Sequence, residues 1–131
     1  MRKVMIDTTI YSLALRGDHT VADLLRRIES IGISTISVGE LLAGFQAGNR
    51  EKKNREELEL FLDSPRVTVF DTDVESADFY ASIFNQLKRA GTPIPTNDIW
   101  IAATAFQHGY KLLSSDRHFD SVQGLFLIKP E

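Results

Sequence analysis

The sequence predicts an α/β fold, a mainly parallel five-stranded sheet flanked by helices, in one domain spanning residues 1–131. Two observations predict it. Short aliphatic and β-branched runs alternate with longer segments of helical periodicity, in the order strand, helices, strand, helices, strand, helices, strand, strand. That alternation implies right-handed crossovers and strands covered on both faces. A composition 43% hydrophobic and 25% charged argues against disorder. A chain of 131 residues can bury one core without cross-links.

Lys3 to Ile6 is an apolar run ending at Asp7, too short for a helix and suited to a buried strand. Thr8 or Thr9 is placed to cap a short helix through Leu15, closed by Gly17. Val21, Leu24, Leu25 and Ile28 recur at helical spacing, with Gly32 as the stop, and the β-branched run Ile33 to Ser37 reads as the second strand. Glu40, Leu41, Leu42 and Phe45 begin another helix, broken near Gly48. Arg50 to Leu62 is a charged helix with Leu58, Phe61 and Leu62 on one side, ended by Ser64-Pro65.

Arg66 to Phe70 alternates as a third strand, and Val74 to Arg89 is a long amphipathic helix ended by Gly91. Pro93 and Pro95 force a loop. Thr96 is a good N-cap for Asn97 to His108, where Ile99, Ala102, Ala103 and Phe106 make an inward stripe. Gly109 closes that helix, Tyr110 to Ser114 is the fourth strand and Gly124 to Ile128 the fifth.

Composition removes several function classes. Without cysteine there are no disulfides, thiolate metal sites or cysteine nucleophiles. The apolar stretch after Arg2 and Lys3 is cut by Asp7, so no signal peptide is expected, and no window nears the roughly 18 apolar residues of a membrane span. The formal net charge of −3 runs against phosphate binding, but four acids committed to a cation would reverse the sign of the remainder.

Those four acids are Asp7, Glu40, Asp98 and Asp116. Asp7 follows the first strand, Glu40 comes just after the second, Asp116 follows the fourth, and Asp98 opens the helix leading into the fourth. In open α/β sheets, ligands collect outside the carboxyl ends of the strands. A helix returning antiparallel to the strands starts at that same edge. Each acid also has a local structural use: Asp98 on a helix dipole, Glu40 in a Ser37-Val38-Gly39-Glu40 capping box, Asp116 in a turn. Asp7 is harder to place that way, because an acid against a buried strand costs desolvation unless it is compensated. Four crowded carboxylates repel one another, and a divalent cation is the natural compensation. All-oxygen ligation suits Mg²⁺ or Mn²⁺, and such a centre serves phosphodiester hydrolysis.

The segments Ile6-Asp7-Thr8-Thr9, Ser37-Val38-Gly39-Glu40-Leu41-Leu42-Ala43-Gly44, Thr96-Asn97-Asp98-Ile99-Trp100-Ile101-Ala102-Ala103-Thr104-Ala105 and Leu113-Ser114-Ser115-Asp116-Arg117-His118-Phe119 resemble, in order, the acidic motifs of PIN-domain ribonucleases of the VapC toxin type. The resemblance spans essentially the whole chain. It implies a PIN-like three-layer sandwich with sheet order 3-2-1-4-5, bringing Asp7 and Asp116 together at the switch point. It implies a Mg²⁺-dependent endoribonuclease in which Asp7 and Asp98 are the main metal ligands, Glu40 completes the site or orients water, and Asp116 is a more variable fourth acid, with Asp120 as a second candidate. It further implies an RNA substrate, a cognate antitoxin that obstructs the acidic pocket, a homodimer, no membrane association and a cytoplasmic location. Ser114 stands where the family often has Thr, and Thr9 where Asn or Ser is frequent.

Two other functions remain to be weighed. A receiver-like phosphoacceptor would use Asp71 with Asp7 and Lys129-Pro130, but it carries paired acids after strand one and a short crossover from strand two to strand three, where this chain has one acid and room for two helices. A PIN-fold RNA-binding module without catalysis is disfavoured by the presence of all four acids. His19, His108 and His118 show no metal-ligand spacing and receive no role, and Trp100 is expected to pack.

Overall fold

A computed structural model describes residues 1–130 of the chain. Among them five strands, β1 (Lys3–Ile6), β2 (Ser30–Ser34), β3 (Val67–Phe70), β4 (Lys111–Leu113) and β5 (Leu127–Ile128), form one sheet in the order β3-β2-β1-β4-β5, with every neighbouring pair parallel. Helices α1 (Thr8–Leu15) and α2 (His19–Arg27) join β1 to β2, α3 (Thr35–Ala47) and α4 (Glu51–Leu62) join β2 to β3, and α5 (Val74–Ala90) and α6 (Thr96–His108) join β3 to β4. A 3₁₀ turn, Arg117–Ser121, lies between β4 and β5.

The strand period of two divides the core into two layers. Val4 and Ile6 of β1 and Leu113 of β4 join Ile10, Val21, Leu41 and Leu58, contributed by α1 to α4. Met5 and Leu112 point the other way, among Ile83, Leu87, Ile99 and Ala102 of α5 and α6. Met5, Ile6, Leu112 and Leu113 are wholly buried, and each such side chain contributes about 1.5–3 kcal/mol of transfer free energy. The central strands are therefore the most firmly held part of the fold, and both β1 and β4 run straight into the edge where the acids lie.

The sheet order decides against a receiver-like domain. Receivers place strand three beside strand one, in the flavodoxin-like order, whereas β3 is here the far edge strand and carries Asp71 away from Asp7.

Several boundaries differ from the sequence expectation, each for a local reason. The second strand spans Ser30–Ser34 rather than Ile33 to Ser37, because Ser34 caps α3 with its hydroxyl, accepting the Ile36 N–H at 3.0 Å. Ser37 is consequently a buried residue inside α3, the Ser37–Glu40 capping box does not form, and Glu40 lies in the second turn. Gly32 is not a helix stop but a residue of β2. Helix α1 is capped by Asp7 rather than Thr8 or Thr9, and α6 starts at Thr96 after Pro95 without a side-chain cap. The fourth strand loses Tyr110, whose N–H closes α6 by bonding the Ala105 carbonyl at 3.0 Å. The fifth keeps only Leu127–Ile128.

Gly32 has a reason to be glycine. A Cβ there would stand 2.7 Å from the Phe70 ring and 3.2 Å from the Tyr110 ring. Phe70 is in turn stacked on His108, with centroids 3.9 Å apart, so the ring that would have to yield is itself packed. Among the described residues no helix is long and apolar enough to cross a membrane.

Candidate metal centre

Asp7 is the residue at which β1 becomes α1. Its extended backbone leaves the strand, and its carboxylate turns back to cap the helix, Oδ1 accepting the Ile10 N–H at 2.9 Å. Oδ2 accepts a hydrogen bond from the Ser114 hydroxyl. Only 3% of the residue is exposed, and burial pushes its carboxyl from the usual 3.8 up to about 6, against those two hydrogen bonds and with help from the charges of Asp98 and Asp116. The desolvation expected from the sequence is thus only partly offset by local hydrogen bonds.

Ser114 ties two acids together. While its hydroxyl donates to Asp7, it accepts the Asp116 N–H at 2.9 Å. Asp116 then caps the 3₁₀ turn, its Oδ1 accepting the His118 N–H at 2.9 Å. The turn is anchored by Phe119, buried to 1% exposure. From the other side, Asp98 enters in the first turn of α6, where the helix dipole favours an acid. Burial nevertheless raises its carboxyl above the usual range, opposed by a hydrogen bond with His118 and reinforced by the charges of Asp116 and Glu40.

Glu40 reaches the same cavity from α3. Thr8 Oγ1 donates to its Oε1 at 2.6 Å and Asn97 Nδ2 to its Oε2 at 3.3 Å, so α1 and α6 both hold this carboxylate. The cavity has a volume of about 380 Å³ and is lined by Asp7, Thr8, Glu40, Asp98, Asp116 and His118, among others. All four sequence-nominated acids line it. Asp120 does not: it pairs with Lys129 Nζ at 2.9 Å, and that ammonium also donates to the Asp116 carbonyl at 3.2 Å.

His118 is the residue that sequence reasoning passes over. Its Nδ1 lies 2.9 Å from Asp98 Oδ2 and 3.1 Å from Asp116 Oδ1. Asp98, Asp116 and His118 each offer one ligand atom, and these lie within 4.8 Å of one another, with Asp7 and Glu40 lining the cavity outside that set. The available signal was the Asp116-x-His118 spacing: an Asp that caps a turn accepts the backbone N–H two residues on and so holds that residue beside it. The other histidines do not approach. His108 stacks on Phe70, and Trp100 packs on Tyr80 with centroids 4.1 Å apart, as the sequence leads one to expect.

No lysine or arginine among the described residues lines this cavity. Four carboxylates with only an imidazole among them lack countercharge, and an oxygen-rich donor set of this kind fits a hard divalent cation. A dianionic phosphate or the backbone of a nucleic acid would be repelled from it without one.

A PIN domain model matches residues 4–125 of the chain. Ribonuclease VapC1 of Rickettsia felis is 34% identical over 125 residues, covering 93% of this chain and 92% of that protein. Among solved structures, VapBC2 of Rickettsia felis, bound to a DNA fragment from its promoter, has a TM-score of 0.87 at 24% identity and covers 100% of both chains. The DNA-bound VapBC of Salmonella typhimurium has a TM-score of 0.83 at 26% identity, with 98% of each chain covered.

Proposed function

The chain belongs to the PIN domain family and is a nuclease with VapC ribonucleases among its relatives, and from that membership we propose that it is a Mg²⁺-dependent endoribonuclease acting as the toxin of a toxin–antitoxin pair in the cytoplasm. One observation carries the site assignment: Asp7, Glu40, Asp98 and Asp116, drawn from four separate parts of the chain, line a single cavity that contains no lysine or arginine among the described residues.

In this reading Asp7, Asp98 and Asp116 hold the cation. Ser114 sets the spacing of Asp7 and Asp116, because one hydroxyl bonds to both. Glu40, clamped by Thr8 and Asn97, has its carboxylate fixed in direction and retains lone pairs to orient a water molecule or complete the metal's coordination. A bound divalent cation would polarise the phosphodiester and make a coordinated water a better nucleophile. No lysine or arginine among the described residues lines the cavity to offset the charge of the phosphodiester against these carboxylates, so hydrolysis should depend strictly on metal.

The partners follow from the relatives that are VapBC assemblies. A cognate antitoxin covering the acidic cavity, and a homodimeric toxin, are part of the same proposal.

The test is cleavage of single-stranded RNA by the purified chain in Mg²⁺, in Mn²⁺ and in excess EDTA, with growth measured during expression of the chain alone. We expect cleavage with either metal, none in EDTA, and growth arrest. Glu40→Gln nearly preserves shape and removes the charge, so it should lower cleavage at least about 100-fold, the scale on which loss of a general base or water-orienting group acts, and relieve the arrest. Full activity in EDTA, or undiminished cleavage by a folded Glu40→Gln protein, would overturn the assignment.

A further inference from the structure

We propose that His118 is itself a ligand of the metal centre, contributing an imidazole nitrogen that biases the site toward Mn²⁺ over Mg²⁺; this rests on the metal-dependent reading above. The placement argues for it first. Two donors about 2.1 Å from a common ion and at right angles are about 3 Å apart, and Nδ1 lies 2.9 Å from an Asp98 oxygen and 3.1 Å from an Asp116 oxygen. Nδ1 is spaced from each of the two oxygens as one corner of a coordination shell is from its neighbours, and one ligand atom of each residue lies within 4.8 Å of the others.

The ring is also carried on a firmly held backbone. Its backbone N–H bonds the Asp116 carboxylate, and the next residue, Phe119, is sunk in the core, so ring and acid belong to one fixed turn. Nδ1 points at the acids, and nothing among the described residues hydrogen-bonds Nε2. Without a cation Nδ1–H donates to Asp98; with one, the ring proton can reside on Nε2, leaving the Nδ1 lone pair for the ion.

Selectivity follows from ligand chemistry. Mg²⁺ takes oxygen ligands and retains its waters, whereas imidazole adds affinity for Mn²⁺ and the metals after it in the Irving–Williams series. A single nitrogen among carboxylates shifts the ratio between the two ions without closing the site to either.

The experiment uses the full chain and Mn²⁺ as a spectroscopic probe. Pulsed electron paramagnetic resonance of the Mn²⁺-loaded parent is expected to show coupling to a ¹⁴N nucleus, a result that needs no variant. His118→Ala should abolish the coupling and weaken Mn²⁺ binding about 10-fold or more, while Mg²⁺ binding, followed by calorimetry, changes less than about threefold. His118→Asn offers an oxygen in place of the nitrogen, and should lose the coupling and narrow the Mn²⁺ to Mg²⁺ ratio. Mn²⁺ bound tightly without nitrogen coupling, or equal loss of both metals in His118→Ala, would overturn the inference while leaving the carboxylate centre intact. A parent that binds no Mn²⁺, or an Asp98→Asn variant that binds it undiminished, would overturn the metal-centre reading and this inference with it.

Discussion

Asp7 does two things that conflict in the absence of metal. It caps α1 and it places a nearly buried charge at the end of a core strand. Its folded-state carboxyl titrates at about 6 against an ordinary 3.8. Between those values the native state holds a proton that the unfolded chain has released, so stability falls as pH rises through this window, and the charge costs about 3 kcal/mol above it. Asp7→Asn keeps an oxygen to accept the Ile10 N–H and removes the charge. In EDTA the variant should therefore be more stable than the parent at pH 7.5, by up to about 3 kcal/mol, and the gap should close below about pH 4; denaturant melts at the two pH values measure it. A parent as stable as the variant at pH 7.5 would show that the carboxylate is better solvated than its burial implies. At this scale the four acids were legible because acids at strand ends are written in residue order. His118 was not, since its approach depends on a turn whose direction is decided by Asp116 capping and by Phe119 finding the core, neither of which has a periodic signature.

Elements were legible where periodicity is long and blurred where a single side chain decides the boundary. The 17-residue α5 and its closing glycine match expectation to within one residue. The start of α3 does not, because two hydroxyls, Ser34 and Ser37, compete for the cap, and the pairing of β2 ends at Ile33 on the β1 side and at Ser34 on the β3 side, so the helix begins only at Thr35. The glycine in the middle of β2 carries a testable consequence. Its missing side chain admits the Phe70 and Tyr110 rings over the strand, and neither ring is free to swing away, Phe70 being stacked on His108 and Tyr110 bonded through its hydroxyl to Ser30. Gly32→Ala should lower stability by about 1–3 kcal/mol, the usual result of overpacking, even though alanine suits a strand better than glycine by backbone entropy alone. A melting temperature equal to or above the parent's would mean that the aromatic cluster relaxes more freely than its contacts suggest.

Across the molecule, the sheet brings together residues that the chain keeps far apart: Ser114 and Asp7 hydrogen-bond across 107 positions. A cation bound among Asp7, Asp98 and Asp116 would clamp α1, α6 and the β4–β5 connection at once, and would relieve the repulsion that raises Asp7 and Asp98. Free metal at 100 times its dissociation constant should add about 2.7 kcal/mol to stability, seen as a rise of several degrees in the parent's melting temperature. Asp98→Asn should show much less of that rise, and in EDTA it should be at least as stable as the parent. If the metal-free variant melts well below the parent and still cleaves RNA, Asp98 serves only the helix terminus. The order in which the acids occur along the chain has a further consequence during synthesis. Asp7 and Glu40 leave the ribosome early, but Asp98 comes later and Asp116 follows β4, so the parallel pairing of β4 beside β1 must wait for the last part of the polypeptide. Until β4 docks, Asp7 and Glu40 stand without their partners, so the centre is among the last parts of this fold to assemble.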